Sequence, residues 1–122
     1  MQMQPLFNEW KATIEKYGNG GFVIAGEEVR GSVLLTLSAR HDLAVDSVDQ
    51  LTAEIIPALQ QDGTELLLVG CGTQVQPLPE TLRTALRTAG IACELMDTGA
   101  ACRTYGIVQS EERRAAALLI AV

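Results

Sequence analysis

The apolar positions along this chain keep two different rhythms. Through TIEKYGNGGFVIAGEEVRGSVLLTL they alternate with polar ones, and the segment predicts three short strands near 13–17, 21–25 and 29–37. Gly-Asn-Gly-Gly and Gly-Glu-Glu separate these strands, and glycine supplies the positive φ angles that hairpin turns need. In DSVDQLTAEIIPALQQDG the period changes. Val48, Leu51, Ile55 and Leu59 recur at helical spacing and give one buried face. Ser47 and Gln50 stand at capping-box spacing, Gly63 sits where a helix stops, and Pro57 is expected to remove one backbone bond and bend the helix.

TELLLVG follows as a wholly apolar strand of the kind buried on both faces in a parallel sheet. PETLRTALRTAG predicts a helix with Pro79 in its first turn, Leu82 and Leu86 inward, Gly90 as its stop, and Glu80, Arg83 and Arg87 on a solvated face. IACELM reads as a strand, DTGAACRTYGIVQS as a helix opened by Asp97 or Thr98, and AAALLIAV as a closing strand. Strand and helix alternate from residue 33 onward, which is the α/β pattern, and right-handed crossovers are expected.

Composition narrows the class. A length of 122 residues, with no repeat or linker, predicts one compact domain over 1–122 that buries about two-thirds of its unfolded surface. Apolar residues make up 48% and aromatics only 4%, so aliphatic side chains must fill the core. The formal charge of −6 argues against nucleic acid or an anionic membrane as the main partner, because both reward clustered Lys and Arg. The three cysteines, Cys71, Cys93 and Cys102, are an odd number without Cys-x-x-Cys spacing and read as reduced thiols in a cytoplasmic protein. Met1–Trp10 lacks the apolar core of a signal peptide and no Arg-rich transit segment is present, so the chain reads as bacterial or already processed. The longest apolar tail, Ala115 to Val122, is too short to cross a bilayer, which takes about 20 residues.

The stretch most suggestive of chemistry is VGCGT. A dinucleotide fingerprint needs Gly-x-Gly-x-x-Gly running directly into a helix, but the sixth position here is Val75, and Pro77 and Pro79 keep the following backbone extended. No Gly-Lys-Ser/Thr follows, which excludes a P-loop. Cys71 as a nucleophile needs a base, and the one histidine, His41, reaches it only through tertiary folding. Cys93 alternates with Ile91 and Leu95 and reads as core; Cys102, beside Ala100 and Ala101, reads as helix packing. His41 with Asp42, Asp46 and Asp49 lacks the paired spacing of zinc sites, and Ser38, His41 and Asp42 are too near in sequence for triad geometry. The remaining candidate is a ligand site from Gly70, Cys71, Gly72, Thr73, Asp97 and Thr98, at the expected carboxyl ends of two adjacent parallel strands. Tight helix–sheet packing needs the same small residues.

The succession YGNGGFVIAGEEVRGSVLL, ELLLVGCGT, GIACELMDTGAACRTYGIV and RRAAALLIAV resembles the small Mth-type domain family over about Ile14 to Ile120. Its most telling parts are Gly70, Gly72 and Thr73 at the strand exit, and Met96, Thr98, Ala101, Thr104 and Tyr105 in the helix. Two departures stand out: Gly106 replaces a usual Asn, and Glu111-Glu112-Arg113 replaces Glu-Gly-Arg. A mid-helix glycine costs about 1 kcal/mol relative to alanine, so a loose or broken turn is expected there.

The resemblance implies a compact α/β domain with a mixed sheet, a parallel core flanked by helices, and an N-terminal β-hairpin region. It implies no catalytic residue, no metal and no cofactor. Relatives include mitochondrial assembly factors of respiratory NADH:ubiquinone oxidoreductase. The implied role is therefore a non-catalytic interaction domain whose partners are respiratory-complex subunits or assembly factors. A homodimer is the default expectation for a small acidic domain. The rivals are the small-molecule or anion site at Gly70–Thr73 and Asp97–Thr98, and a redox-sensing thiol at Cys71.

Overall fold

The computed structural model describes residues 12–122. The first eleven positions, and with them Met1–Trp10 and the start of the expected 1–122 domain, lie outside the described residues. Strands β1 (Ile14–Gly18), β2 (Gly21–Ile24) and β3 (Glu27–Arg30) form an antiparallel three-stranded sheet in chain order. Strands β4 (Ser32–Leu35), β5 (Arg40–Leu43), β6 (Leu66–Gly70), β7 (Ala92–Met96) and β8 (Ala115–Leu119) form a second sheet of order β5-β4-β8-β6-β7. β8, β6 and β7 run parallel, while β4 and β5 add antiparallel strands on the β8 side. The result is the α/β class with a mixed sheet, a parallel core and an N-terminal hairpin region.

The expected single strand over 29–37 is two strands in two different sheets. Gly31, at φ +85°, turns the chain between them, and its N–H donates to Gly20 O at 2.8 Å. That left-handed angle disfavours any residue with a Cβ, so the glycine decides where one sheet ends and the next begins. The polar segment around His41, which carries no strand signal in the sequence, is β5, paired antiparallel with β4. Its polar residues suit an edge strand, because charge there blocks pairing with other chains.

The expected helix over the Val48–Leu59 stripe is also broken. Short 3₁₀ turns occupy Val48–Gln50 and Ala53–Ile55, and only Ile56–Gln61 is α-helical (α1). Leu51 and Thr52 are extended, and Thr52 caps the second turn by accepting from Glu54 N at 3.2 Å. Pro57 therefore lies in the first turn of α1, where its missing N–H costs no helical bond and introduces no bend. Ser47 makes no cap bond; Gln50 Oε1 instead accepts from Asp46 N at 2.6 Å.

Helices α2 (Glu80–Thr88) and α3 (Thr98–Ser110) complete the β6–α2–β7 and β7–α3–β8 crossovers. They pack on opposite faces of the five-stranded sheet. One face holds Leu34, Leu67, Val69, Ala116 and Leu118 against Leu59, Leu82 and Leu86. The other holds Leu35, Leu68, Ala117 and Leu119 against Tyr105 and Val108 of α3 and Phe22, Ile24 and Val29 of the small sheet. β6 and β8 are buried throughout, as continuous apolar runs in a parallel core should be. Helix α3 runs unbroken through Gly106, so the expected loose turn is not formed. Its Ala101, Cys102, Tyr105 and Val108 are buried on one side, and that packing holds the turn in place.

Candidate functional site

The six residues singled out around VGCGT come together at the carboxyl ends of β6 and β7. Gly70 ends β6 opposite Met96 of β7, and Asp97 and Thr98 open α3 immediately beyond. Asp97 is the N-cap, its Oδ1 accepting from Ala100 N at 2.8 Å. Thr98 is fully buried, and its hydroxyl donates to Ile120 O at 2.7 Å while accepting from Gly72 N at 2.9 Å. Its own N–H donates to Gly72 O at 2.9 Å, and Cys71 N donates to Met96 O at 2.8 Å. Six polar groups of the cluster are thus bonded inside the protein.

Close approach explains the small residues. A Cβ on Gly70 would lie 2.9 Å from Thr98 Cα and 3.1 Å from Ala101 Cβ, so glycine lets the start of α3 sit directly on the end of β6. Gly99 faces a different neighbour: the Tyr17 hydroxyl lies 2.6 Å from where its Cβ would be. Thr73 and the following Gln74–Pro77 are exposed.

Cys71 is 2% exposed, and its Sγ lies 3.5 Å from Gln76 O and 3.8 Å from Val69 O. His41 is opposite Leu34, which pairs with Leu118, which pairs with Val69; three strand spacings, about 14 Å, separate the imidazole strand from β6. The fold therefore does not bring the base to Cys71. Burial pushes the Cys93 thiol up to about 11, with Cys71 and Glu94 adding to the effect. Burial also pushes Cys102 up to about 11, against a smaller opposing pull from Arg103. Both are protonated at neutral pH and unsuited to attack as thiolates. Cys93, read as core, is only half-buried because β7 is an edge strand.

The other candidates find different partners. The Ser38 hydroxyl donates to the Asp62 carboxylate at 2.9 and 3.0 Å rather than to His41. Asp42 accepts from Arg40 at 3.1 Å. Among the described residues no three His, Cys, Asp or Glu side chains converge in a way that could hold a metal ion.

Three surface depressions were not legible as sites in the sequence. One of about 330 Å³ lies on the small sheet beside Tyr17 and Arg30. A second, about 430 Å³, runs between β5 and the 3₁₀ turns and is lined by His41, Leu43, Leu51 and Glu54. The third, about 320 Å³, lies between α2 and the β7 edge. Leu78, Leu86, Ile91, Cys93 and Leu95 form its floor, and Arg83 and Arg87 its rim. The only sequence signal for this groove was that ACELM carries a single charge although it lies at an edge.

The chain matches known proteins over most of its length. The model of a family described as protein of unknown function (DUF498/DUF598) matches residues 14–120. NADH dehydrogenase [ubiquinone] 1 alpha subcomplex assembly factor 3 of Xenopus tropicalis is 33% identical over 109 residues, covering 88% of this chain. This chain spans only 60% of that relative's length. A crystal structure from Bartonella henselae, of a protein called an outer membrane protein, superposes with a TM-score of 0.85 at 37% identity, covering 92% of this chain and 96% of the other. A Bordetella pertussis solution structure described as a Mth938-like domain shares the fold, with a TM-score of 0.79 at 23% identity over 90% of this chain and 85% of its own. The chain belongs to the DUF498/DUF598 family, whose fold is the small Mth-type domain.

Proposed function

We propose that this protein is a non-catalytic interaction domain that assists assembly of a respiratory NADH:quinone oxidoreductase. The observation that carries the reading is the identity with assembly factor 3 across nearly all of this chain. The interior supports it: the polar groups around VGCGT bond one another, and the thiols of Cys93 and Cys102 are held protonated. Among the described residues no helix is long and apolar enough to cross a membrane. The proposed place of action is the cytoplasm, where the domain binds subunits before they reach the membrane.

The test is a pull-down of the tagged protein from its own organism, with quantitative mass spectrometry of soluble and detergent-solubilised fractions. Oxidoreductase subunits or assembly factors should be enriched over a control bait, and a deletion strain should accumulate less of the assembled complex on native gels. An unenriched bait together with normal complex levels would sink the reading.

The alternative is a small-molecule or anion site at Gly70, Cys71, Gly72, Thr73, Asp97 and Thr98. Its support is location, at the carboxyl ends of the parallel β6 and β7, where open α/β sheets hold their ligands. A ligand there must reach the exposed Thr73 side, because the Cys71 and Gly72 N–H groups are already engaged. Thermal shift against nucleotides, phosphates and carboxylates tests it: at a hundred times Kd, a ligand adds about 2.7 kcal/mol of stability.

A further inference from the structure

We propose that the groove between α2 and β7 is the docking site for an extended, acidic–apolar peptide segment of a partner protein, which adds a strand to the free edge of β7. The inference rests on the protein-binding reading above and names the surface that carries it.

The backbone makes the first part of the case. β7 ends the sheet order, so one side of it bonds no strand among the described residues. Ala92 N donates to Glu65 O, and Met96 O accepts from Cys71 N, so alternate residues from Ala92 to Met96 bond toward β6. A residue's N–H and C=O point to the same side of a strand and reverse at the next residue. Cys93 and Leu95 therefore direct their backbone groups outward, to the open edge. The same two residues send their side chains into the groove. A strand laid alongside, about 4.8 Å away, would bond to Cys93 and Leu95 and extend the apolar floor with its own alternate side chains.

The two edges of the sheet differ in how they are protected. β5, at the opposite edge, is Arg-His-Asp-Leu, and Arg40 pairs with Glu27 at 3.0 Å and Asp42 at 3.1 Å. Such charge blunts an edge against pairing. β7 is Ala-Cys-Glu-Leu-Met, with one charge, and its Met96 packs on the far side of the sheet. Both edges have a depression beside them, but only at β7 is the edge strand itself nearly free of charge.

Charge selects the occupant. Arg83 and Arg87 are exposed, one helical turn apart on the rim, and neither forms an ion pair among the described residues. In a chain of net charge −6, two free guanidinium groups over an apolar floor favour carboxylates on a partner and disfavour a second acidic copy of this chain. A groove this open leaves much of a small amphiphile in water, whereas a peptide gains the edge hydrogen bonds as well.

Phage-displayed random peptides panned against the full-length protein test the proposal. Enriched peptides should carry Asp or Glu two positions from an apolar residue, so that both face the α2 side of the sheet. In the complex, amide hydrogen exchange at Cys93 and Leu95 should slow by about tenfold or more, while Glu94, already bonded toward β6, changes little. The exposed double reversal Arg83→Glu/Arg87→Glu should weaken binding by about tenfold or more, while the thermal midpoint falls only slightly because Glu in the last turn of α2 opposes the helix dipole. Failure to enrich any peptide would overturn the proposal, as would enriched peptides without acidic residues or protection away from β7. A second copy on the β7 edge, seen by sedimentation and lost in the double reversal, would also overturn it, as would laurate binding in a groove that no peptide enters. If the double reversal abolishes peptide binding but respiratory subunits remain enriched in the pull-down, the groove fails as their site and the assembly reading stands. Peptide binding in the groove with no respiratory subunits enriched and normal complex levels in the deletion strain would do the reverse.

Discussion

Thr98 concentrates at one side chain what the VGCGT landmark does for the fold. With no exposure to water, its hydroxyl ties the end of β6 to the segment after β8 by donating to Ile120 O and accepting from Gly72 N. Valine has the same shape but leaves both groups unpaired, and each unmet buried group costs about 1–3 kcal/mol. Thr98→Val should lower unfolding free energy in urea by about 2–4 kcal/mol, with a much smaller loss for Thr98→Ser, which keeps the hydroxyl. No loss in Thr98→Val beside a clear loss in Thr98→Ser would show that the methyl group matters and the hydrogen bonds do not. The thiols make a second residue-scale prediction. Cys93 and Cys102 have folded values near 11 against 9.0 unperturbed, so the folded state holds their protons more tightly. Their contribution is complete below pH 9 and is lost as pH rises from 9 toward 11. Denaturation midpoints measured across that window should fall less steeply in Cys93→Ser/Cys102→Ser than in the parent; parallel curves would refute the assignment.

At the scale of elements, the sequence was most legible where one physical cause acted alone. β6, α2 and α3 were read within two residues, and β8 from its first residue although it ends at Leu119 rather than Val122, because full burial or a clean helical stripe fixed each of them. Misreadings came where local and tertiary causes compete. The Val48–Leu59 stripe does face the core, but Thr52 and Pro57 cut it into separate turns, and burial alone does not reveal the cut. β5 hid because an edge strand need not alternate, and Gly31 joined two strands that reside in different sheets. The six candidate residues were legible as a spatial cluster, since each lies at the end of a readable element. Their bonds to Ile120 and Gly72 were not, because a hydroxyl's partner depends on strand order. The groove at β7 was hidden for the same reason: Cys93 and Leu95 look like core until the strand is known to be an edge. Gly106 offers a test at this scale. Nothing lies within 4 Å of where its Cβ would be, and α3 is regular there. Gly106→Ala should therefore stabilise by about 0.4–1 kcal/mol in thermal or urea unfolding. A loss of stability would mean that α3 is not helical at that turn.

For the whole molecule, the decisive feature is that two apolar layers share the same two strands. Leu68 and Ala117 belong to the layer under α3 and the small sheet, while Leu67, Val69, Ala116 and Leu118 belong to the layer under α2. Neither layer can dissolve without exposing one face of β6 and β8, so the two should unfold as one unit. Truncation on either side tests this directly. Leu68→Ala opens one layer and Leu82→Ala the other, and each should cost about 2–5 kcal/mol, because both side chains are fully buried. In each variant the protection of β6 and β8 amides against hydrogen exchange should drop by the same free energy as the global transition, whichever layer was opened. Amides of β1, and of β5 at the charged edge, should exchange through smaller openings that neither truncation changes much, because fewer bonds hold them to the shared strands. Independent layers would behave differently: Leu82→Ala would then lower protection in α2 while α3 kept the parent value. That outcome would separate the groove side of the molecule from the hairpin side and make partner binding at β7 a local event. A single shared transition instead means that a partner strand added at β7 stabilises the entire domain, so its affinity should appear as a rise in the global melting temperature.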